Sequence, residues 1–143
     1  MRVDGSCHCG DVAFTGVVNP AEVTICHCTD CQQMSGTAFR ANVPCPADQF
    51  QLLRGRPKTY VKTAQSGARR TMAFCGVCGT QIYAHAAEGA SAYSLRTGTL
   101  SQRAELRPNR QIWVRSAAPW ARDALDAPRF ECGPGSTDGG TAR

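Results

Sequence analysis

The sequence predicts a mainly β fold: short antiparallel strands stapled by zinc, with little helix. Three observations predict it. Strand-length runs of apolar and β-branched residues recur and are separated by turn formers. Gly (14) and Pro (8) are frequent, so turns are many and long helices few. Seven of the nine Cys residues fall into three tight clusters, a pattern of metal ligands.

Taken in order, Val12-Ala13-Phe14 is the first strand candidate and follows the first cysteines. Val23-Thr24-Ile25 leads into the second cluster. Thr37 to Val43, Phe50 to Leu53 and Thr59 to Val61 have strand length and composition. Arg70 to Cys75 and Thr80 to Ala84 flank the third cluster as the two arms of a hairpin. Ser91 to Thr97 and Gln111 to Val114 complete the strands. Turns are expected at Asn19-Pro20, Pro44-Cys45-Pro46, Gly55-Arg56-Pro57 and Pro108-Asn109. One short helical turn is expected over Asp30 to Met34, closing at Ser35-Gly36, and Pro119 to Ala127 can hold another. Residues 1–132 read as one zinc-binding domain and residues 133–143 (GPGSTDGGTAR) as a disordered tail.

A chain of 143 residues fits one domain. Its core is thin, because aromatics make up 7% and the mean hydropathy is −0.31. Metal can supply what such a core lacks. The opening MRVDGSCHCG has no signal-peptide apolar run, and no run approaches the ~18 apolar residues of a membrane span. A cytoplasmic location is expected, where thiols stay reduced. The odd Cys count also argues against a fully paired disulfide framework.

The formal net charge is +5. Seven thiolates and two dications would change it by −3, leaving +2. Arg69-Arg70 is the only adjacent basic pair, and no basic run is interleaved with stacking aromatics. Nucleic-acid binding is therefore not expected.

The most specific motif is Cys75-Gly76-Val77-Cys78-Gly79. Tetrahedral zinc with bonds of about 2.3 Å to sulfur needs its sulfurs about 3.8 Å apart, and a CxxC turn brings two that close. β-like sequence surrounds this motif, which sets it apart from redox CxxC pairs that precede a helix. Cys7-His8-Cys9-Gly10 is a weaker element. On a flat strand its sulfurs lie about 6.6–6.8 Å apart along the axis, so they converge only if the chain bends. Cys7 and Cys9 need two more ligands, and Cys75 and Cys78 are the matching half. Together they make a closed four-cysteine structural zinc site.

Cys26-His27-Cys28-Thr29-Asp30-Cys31 differs. Cys26, Cys28 and Cys31 offer three sulfurs and an open fourth position, the arrangement of a catalytic zinc. Three thiolates around one dication leave a net negative site, a poor activator of water but a good place for an incoming thiolate. His27 and His8 lie between presumed ligands and are expected to point away from metal. His85 reads as a surface or packing residue. Asp30 reads as a helix-capping or solvated residue. Cys45 and Cys132 lack a partner motif and read as free thiols.

SCHCG, CHCTDCQQMSGTAF and FCGVCGT, in this order and spacing, resemble the family of glutathione-dependent formaldehyde-activating enzymes, which includes the centromere protein V domain. Leu95 to Leu100 and the stretches Ala118 to Trp120 and Pro128 to Glu131 also fit, so the resemblance covers about residues 3–132. It implies a β-tent fold, a structural zinc on Cys7, Cys9, Cys75 and Cys78, and a second zinc on Cys26, Cys28 and Cys31 open to the glutathione thiol. The implied reaction is addition of glutathione to formaldehyde, giving S-hydroxymethylglutathione, or cleavage of a related carbon–sulfur bond. Arg40, Arg69 and Arg96 are candidate partners for the glutathione carboxylates. The competing reading is a non-catalytic zinc-stabilised module that binds a protein partner.

Overall fold

Strand pairing organises the chain into two sheets. The computed structural model describes all residues except 122, 124, 125, 135 and 137–143. The strands are β1 (Arg2–Ser6), β2 (Ala13–Val17), β3 (Thr24–Cys26), β4 (Arg40–Pro46), β5 (Gln51–Arg54), β6 (Lys58–Thr63), β7 (Arg69–Phe74), β8 (Gln81–Ala86), β9 (Ala92–Arg96) and β10 (Arg110–Ile112). A single α-helix among the described residues, α1 (Thr29–Ser35), sits between β3 and β4. One sheet has the order β1-β2-β5; the other has the order β10-β3-β4-β9-β8-β7-β6. Every pairing is antiparallel except β10 with β3, which is parallel.

The core lies between the sheets. Val3, Phe14, Val43, Cys45, Ala73 and Leu95 are fully or almost fully buried there. Phe50 stacks on Tyr93 with centroids 4.4 Å apart and meets Tyr83 edge-on at 5.1 Å. His85 packs edge-on to Tyr93 at 5.2 Å, the packing role expected of it. Alternation fixes the two faces of the large sheet. Val43 and Cys45 of β4, and Tyr93 and Leu95 of β9, belong to this core, so Arg40, Asn42, Ser94 and Arg96 belong to the opposite face.

β1 was not among the expected strands, because RVDGS offers one β-branched residue beside Asp and Gly. The structure explains the composition. A Cβ at Gly5 would stand 2.2 Å from Phe14 Cζ, so the strand needs glycine where the ring crosses it. Pro44-Cys45-Pro46 is strand rather than turn. β4 pairs with β3 only through Asn42, and beyond it one edge has no neighbour that a missing proline N–H would disappoint. Pro119–Ala121 forms a 3-10 turn, a short part of the helix expected over Pro119 to Ala127. The tail expected to be disordered lies largely outside the described residues. No helix among the described residues is long and apolar enough to cross a membrane.

Candidate metal centres and cavity

Cys7 and Cys9 lie just past the end of β1, where the chain turns instead of extending. Gly10 N–H donates to Cys7 O at 3.1 Å, and Cys7 N–H donates to Val12 O at 3.0 Å. This turn supplies the bend that a CxC pair requires. Cys75 and Cys78 sit on the β7–β8 hairpin, closed by Gly79 N–H to Cys75 O at 2.9 Å. Gly10 and Gly79 have φ of +79° and +74°, values that favour glycine in both knuckles. Cys7 Sγ is 3.6 Å from Cys9 Sγ, and Cys9 Sγ is 3.8 Å from Cys75 Sγ. All four sulfurs lie within 4.8 Å of one another.

Backbone amides point at these sulfurs: Val12 N–H at 3.2 Å from Cys7 Sγ and Val77 N–H at 3.4 Å from Cys75 Sγ. Such donors favour the thiolate. The Thr80 hydroxyl, 3.1 Å from Cys78 Sγ, together with the Thr80 amide, draws the Cys78 thiol down to about 5. Spacing near the tetrahedral value of about 3.8 Å and amide-stabilised sulfur fit a soft metal ion held by four thiolates.

The second cluster comes from one short stretch. Cys26 ends β3, Cys28 caps α1, and Cys31 lies in its first turn. Cys28 Sγ accepts from Cys31 N–H at 3.3 Å, doing for the helix what a Ser or Asp oxygen usually does. The three sulfurs lie within 4.8 Å of one another. The nearby Cys31 thiol lowers that of Cys26, and Cys26 in turn raises that of Cys31. A metal binds such a cluster by displacing its protons. These cysteines can also hold an ion, on three ligands.

His27 lies between two of them but turns away. Its Nε2 donates to Gln111 Oε1 at 2.7 Å, and its ring meets Phe39 edge-on. His8 is exposed and joins neither cluster. Cys45 is buried against Gly16, Cys132 is exposed, and both are free thiols.

The three-cysteine cluster opens onto a cavity of about 270 Å³. Its floor is one face of the large sheet, assembled rung by rung. Cys26 is opposite Arg40, Asn42 opposite Arg96, Ser94 opposite Ala84, and Arg70 opposite Lys62. Arg40 and Arg96 are 5% and 7% exposed. Burial first, then the nearby Arg40 charge, draws Arg96 down to about 9. α1 and the β6–β7 loop face each other across the rim, joined by Lys62 Nζ to Asp30 Oδ2 at 2.5 Å. Trp113 closes one end. Its φ of +57° is unusual for a bulky side chain, and the Arg115 guanidinium lies 4.8 Å from its ring centroid.

Of the arginines singled out in the sequence, Arg40 and Arg96 are in the cavity. Arg69 is not: it faces solvent and pairs with Glu88 at 2.7 Å. Asn42, Lys62, Arg70 and Trp113 went unnoticed. Only the cross-strand register brings them to one face, and no local signal announces it. Asp30 acts neither as cap nor as a purely solvated group but as the partner of Lys62.

The family described as glutathione-dependent formaldehyde-activating enzyme matches residues 2–116. The chain belongs to this family. Both cysteine clusters and the whole cavity lining fall within the matched stretch. Membership in the glutathione-dependent formaldehyde-activating family points to glutathione- and formaldehyde-related chemistry on a small-molecule substrate. Comparison with curated proteins gives no match. Among solved structures, the crystal structure of a Rhodobacter sphaeroides protein, a structural-genomics target, is similar with a TM-score of 0.59. The two are 17% identical over 76% of this chain and 98% of that one, a likeness of fold.

Proposed function

We propose that this chain is a zinc-dependent carbon–sulfur lyase or synthase acting on a glutathione adduct such as S-hydroxymethylglutathione. The observation that carries the reading is the unequal setting of two thiol clusters. Four sulfurs form a closed set away from the cavity, while three open into a cavity lined by Arg40, Arg70, Arg96 and Lys62. Cys7, Cys9, Cys75 and Cys78 would hold a structural zinc, and Cys26, Cys28 and Cys31 a second. When bound there, zinc supplies a position that keeps a substrate thiol deprotonated at neutral pH.

The chain's own residues do the rest. The cationic floor attracts an anionic tripeptide and favours its thiolate. A small carbonyl compound held against the walls is aligned beside the sulfur and reacts as a neighbour. In the synthetic direction the sulfur bonds to the carbonyl carbon, the π pair moves to oxygen, and the thiol proton ends on that oxygen. Cleavage is the reverse. Lys62 Nζ, held by Asp30, is a proton donor at the rim for the adduct oxygen.

The test is turnover of S-hydroxymethylglutathione by zinc-replete protein and by Cys28→Ser. A wild-type rate above buffer, lost in the variant, supports the reading. No rate above buffer from the wild type sinks it and favours a non-catalytic binding module.

A further inference from the structure

The two buried arginines present more donors than formaldehyde chemistry uses. Arg96 Nη1 donates to Asn42 Oδ1. Its Nε and Nη2, the paired donors along the other edge of the guanidinium, are buried without an acceptor. Arg40 Nη2 is a third such donor. Among the described residues no carboxylate pairs with either side chain; the ion pairs there are Asp30 with Lys62 and Arg69 with Glu88. Buried charge with unpaired donors is costly, and its persistence at a cavity wall asks for an anion.

The Nε/Nη2 edge has the two parallel donors that a carboxylate accepts bidentately. Its place in the sheet limits where that carboxylate sits. Arg40 shares a rung with Cys26, and Asn42, two residues along the same face of β4, shares one with Arg96. Cys26, Cys31, Arg40 and Arg96 all line the same cavity. The anionic group must therefore lie beside the sulfur. A hydroxymethyl adduct has no charge there. The carboxylates of glutathione are several bonds from its sulfur, because its cysteinyl unit is amide-bonded on both sides. They suit the outer cation Arg70.

We propose that the cavity takes thiol adducts whose sulfur-bearing carbon also bears a carboxylate, the class formed when a thiol adds to a 2-oxo acid such as glyoxylate. Arg96 and Arg40 hold that carboxylate. The sulfur bonds to the 2-oxo carbon, the carbonyl π pair passes to oxygen, and the thiol proton ends there, leaving the carboxylate unchanged and nothing oxidised or reduced. This inference rests on the thiol-adduct reading of the same site.

Calorimetric titration of the full-length zinc-loaded chain tests it. The probes are S-carboxymethylglutathione and S-methylglutathione, stable thioethers that differ in the one carboxylate. The carboxymethyl compound is expected to bind about ten- to a hundredfold tighter. Arg96→Lys keeps a charge but loses the fork, and it narrows that ratio. Arg40→Lys is the second variant should the first not fold, with circular dichroism as the check. Equal wild-type affinities overturn the carboxylate assignment and leave the lyase reading intact. A ratio unchanged in the folded variants also overturns it, with the arginines then serving only to balance thiolate charge. If neither probe binds, the thiol-adduct reading and this inference fall together.

Discussion

Cys26 stands directly opposite Arg40 across the β3–β4 ladder. A thiol that can hold metal and a guanidinium thus share one rung of one sheet. Their separation is set by backbone hydrogen bonds rather than by flexible loops. The same ladder puts Arg96 opposite Asn42, which binds it. Sites mounted on strands in this way keep their geometry when the ligand is absent.

The two cysteine clusters should respond differently to loss of one sulfur. Cys7 and Cys75 are buried and join β1 to the β7–β8 hairpin. Cys75→Ser is expected to lower the melting temperature of zinc-loaded protein by at least about 10 °C. Cys28→Ser should leave most of the thermal stability and abolish turnover. Melting curves with elemental analysis check this; equal destabilisation by both would contradict the division of roles.

Thr80 tunes Cys78. Its hydroxyl first, then its amide and the groups of Cys9, lower the thiol from 9.0 to about 5. In metal-free protein this favours the folded state fully above pH 9. The benefit declines as pH falls and is gone below about pH 5, because the folded thiol then holds its proton too. Thr80→Val should move the midpoint of Cys78 alkylation toward 9. The alkylation rate against pH, with the other cysteines quantified by mass spectrometry, reads it directly. An unmoved midpoint would refute the assignment.

The Asp30–Lys62 pair is partly exposed, with side-chain exposures of 41% and 15%. Such pairs are worth about 0–1 kcal/mol. Lys62→Met is therefore expected to shift the melting temperature by no more than about 4 °C, while raising KM or lowering kcat for the adduct. Unchanged kinetics would remove Lys62 from the proposed chemistry.

Gly5→Ala tests the contact between β1 and Phe14. The added methyl would stand 2.2 Å from Phe14 Cζ. Overpacking of this kind costs about 1–3 kcal/mol. Because Cys7 follows two residues later, zinc content should fall along with stability. Chemical denaturation and elemental analysis together check it, and an unperturbed protein would show that the ring has room to move.

The cysteine clusters were legible because sulfur ligands must be close in space, and short motifs bring half of each set together by local turns. The strand runs were legible for a similar reason: period-two patterning is local. β1 is not legible because its glycine, Gly5, answers to the Phe14 ring nine residues away. Arg69, a candidate partner for the glutathione carboxylates in the sequence, lies off the cavity while Arg70 lines it, for one reason. Neighbours on a strand point to opposite faces, and composition does not say which face is which. The cation-lined floor, with Cys26 at its edge, needs six strands in register, and that information lies in pairings between residues as far apart as Asn42 and Arg96.

The clasp between the two halves has a consequence for the order in which the molecule comes into being. β1, β2 and β5 have all left the ribosome once residue 54 is clear, yet their sulfurs wait for Cys78. The cavity waits longer, because its lining residue Trp113 and the parallel strand β10 come later still. The nascent chain thus completes its fastening before its workplace, and a truncated product ending between the two would be clasped but open.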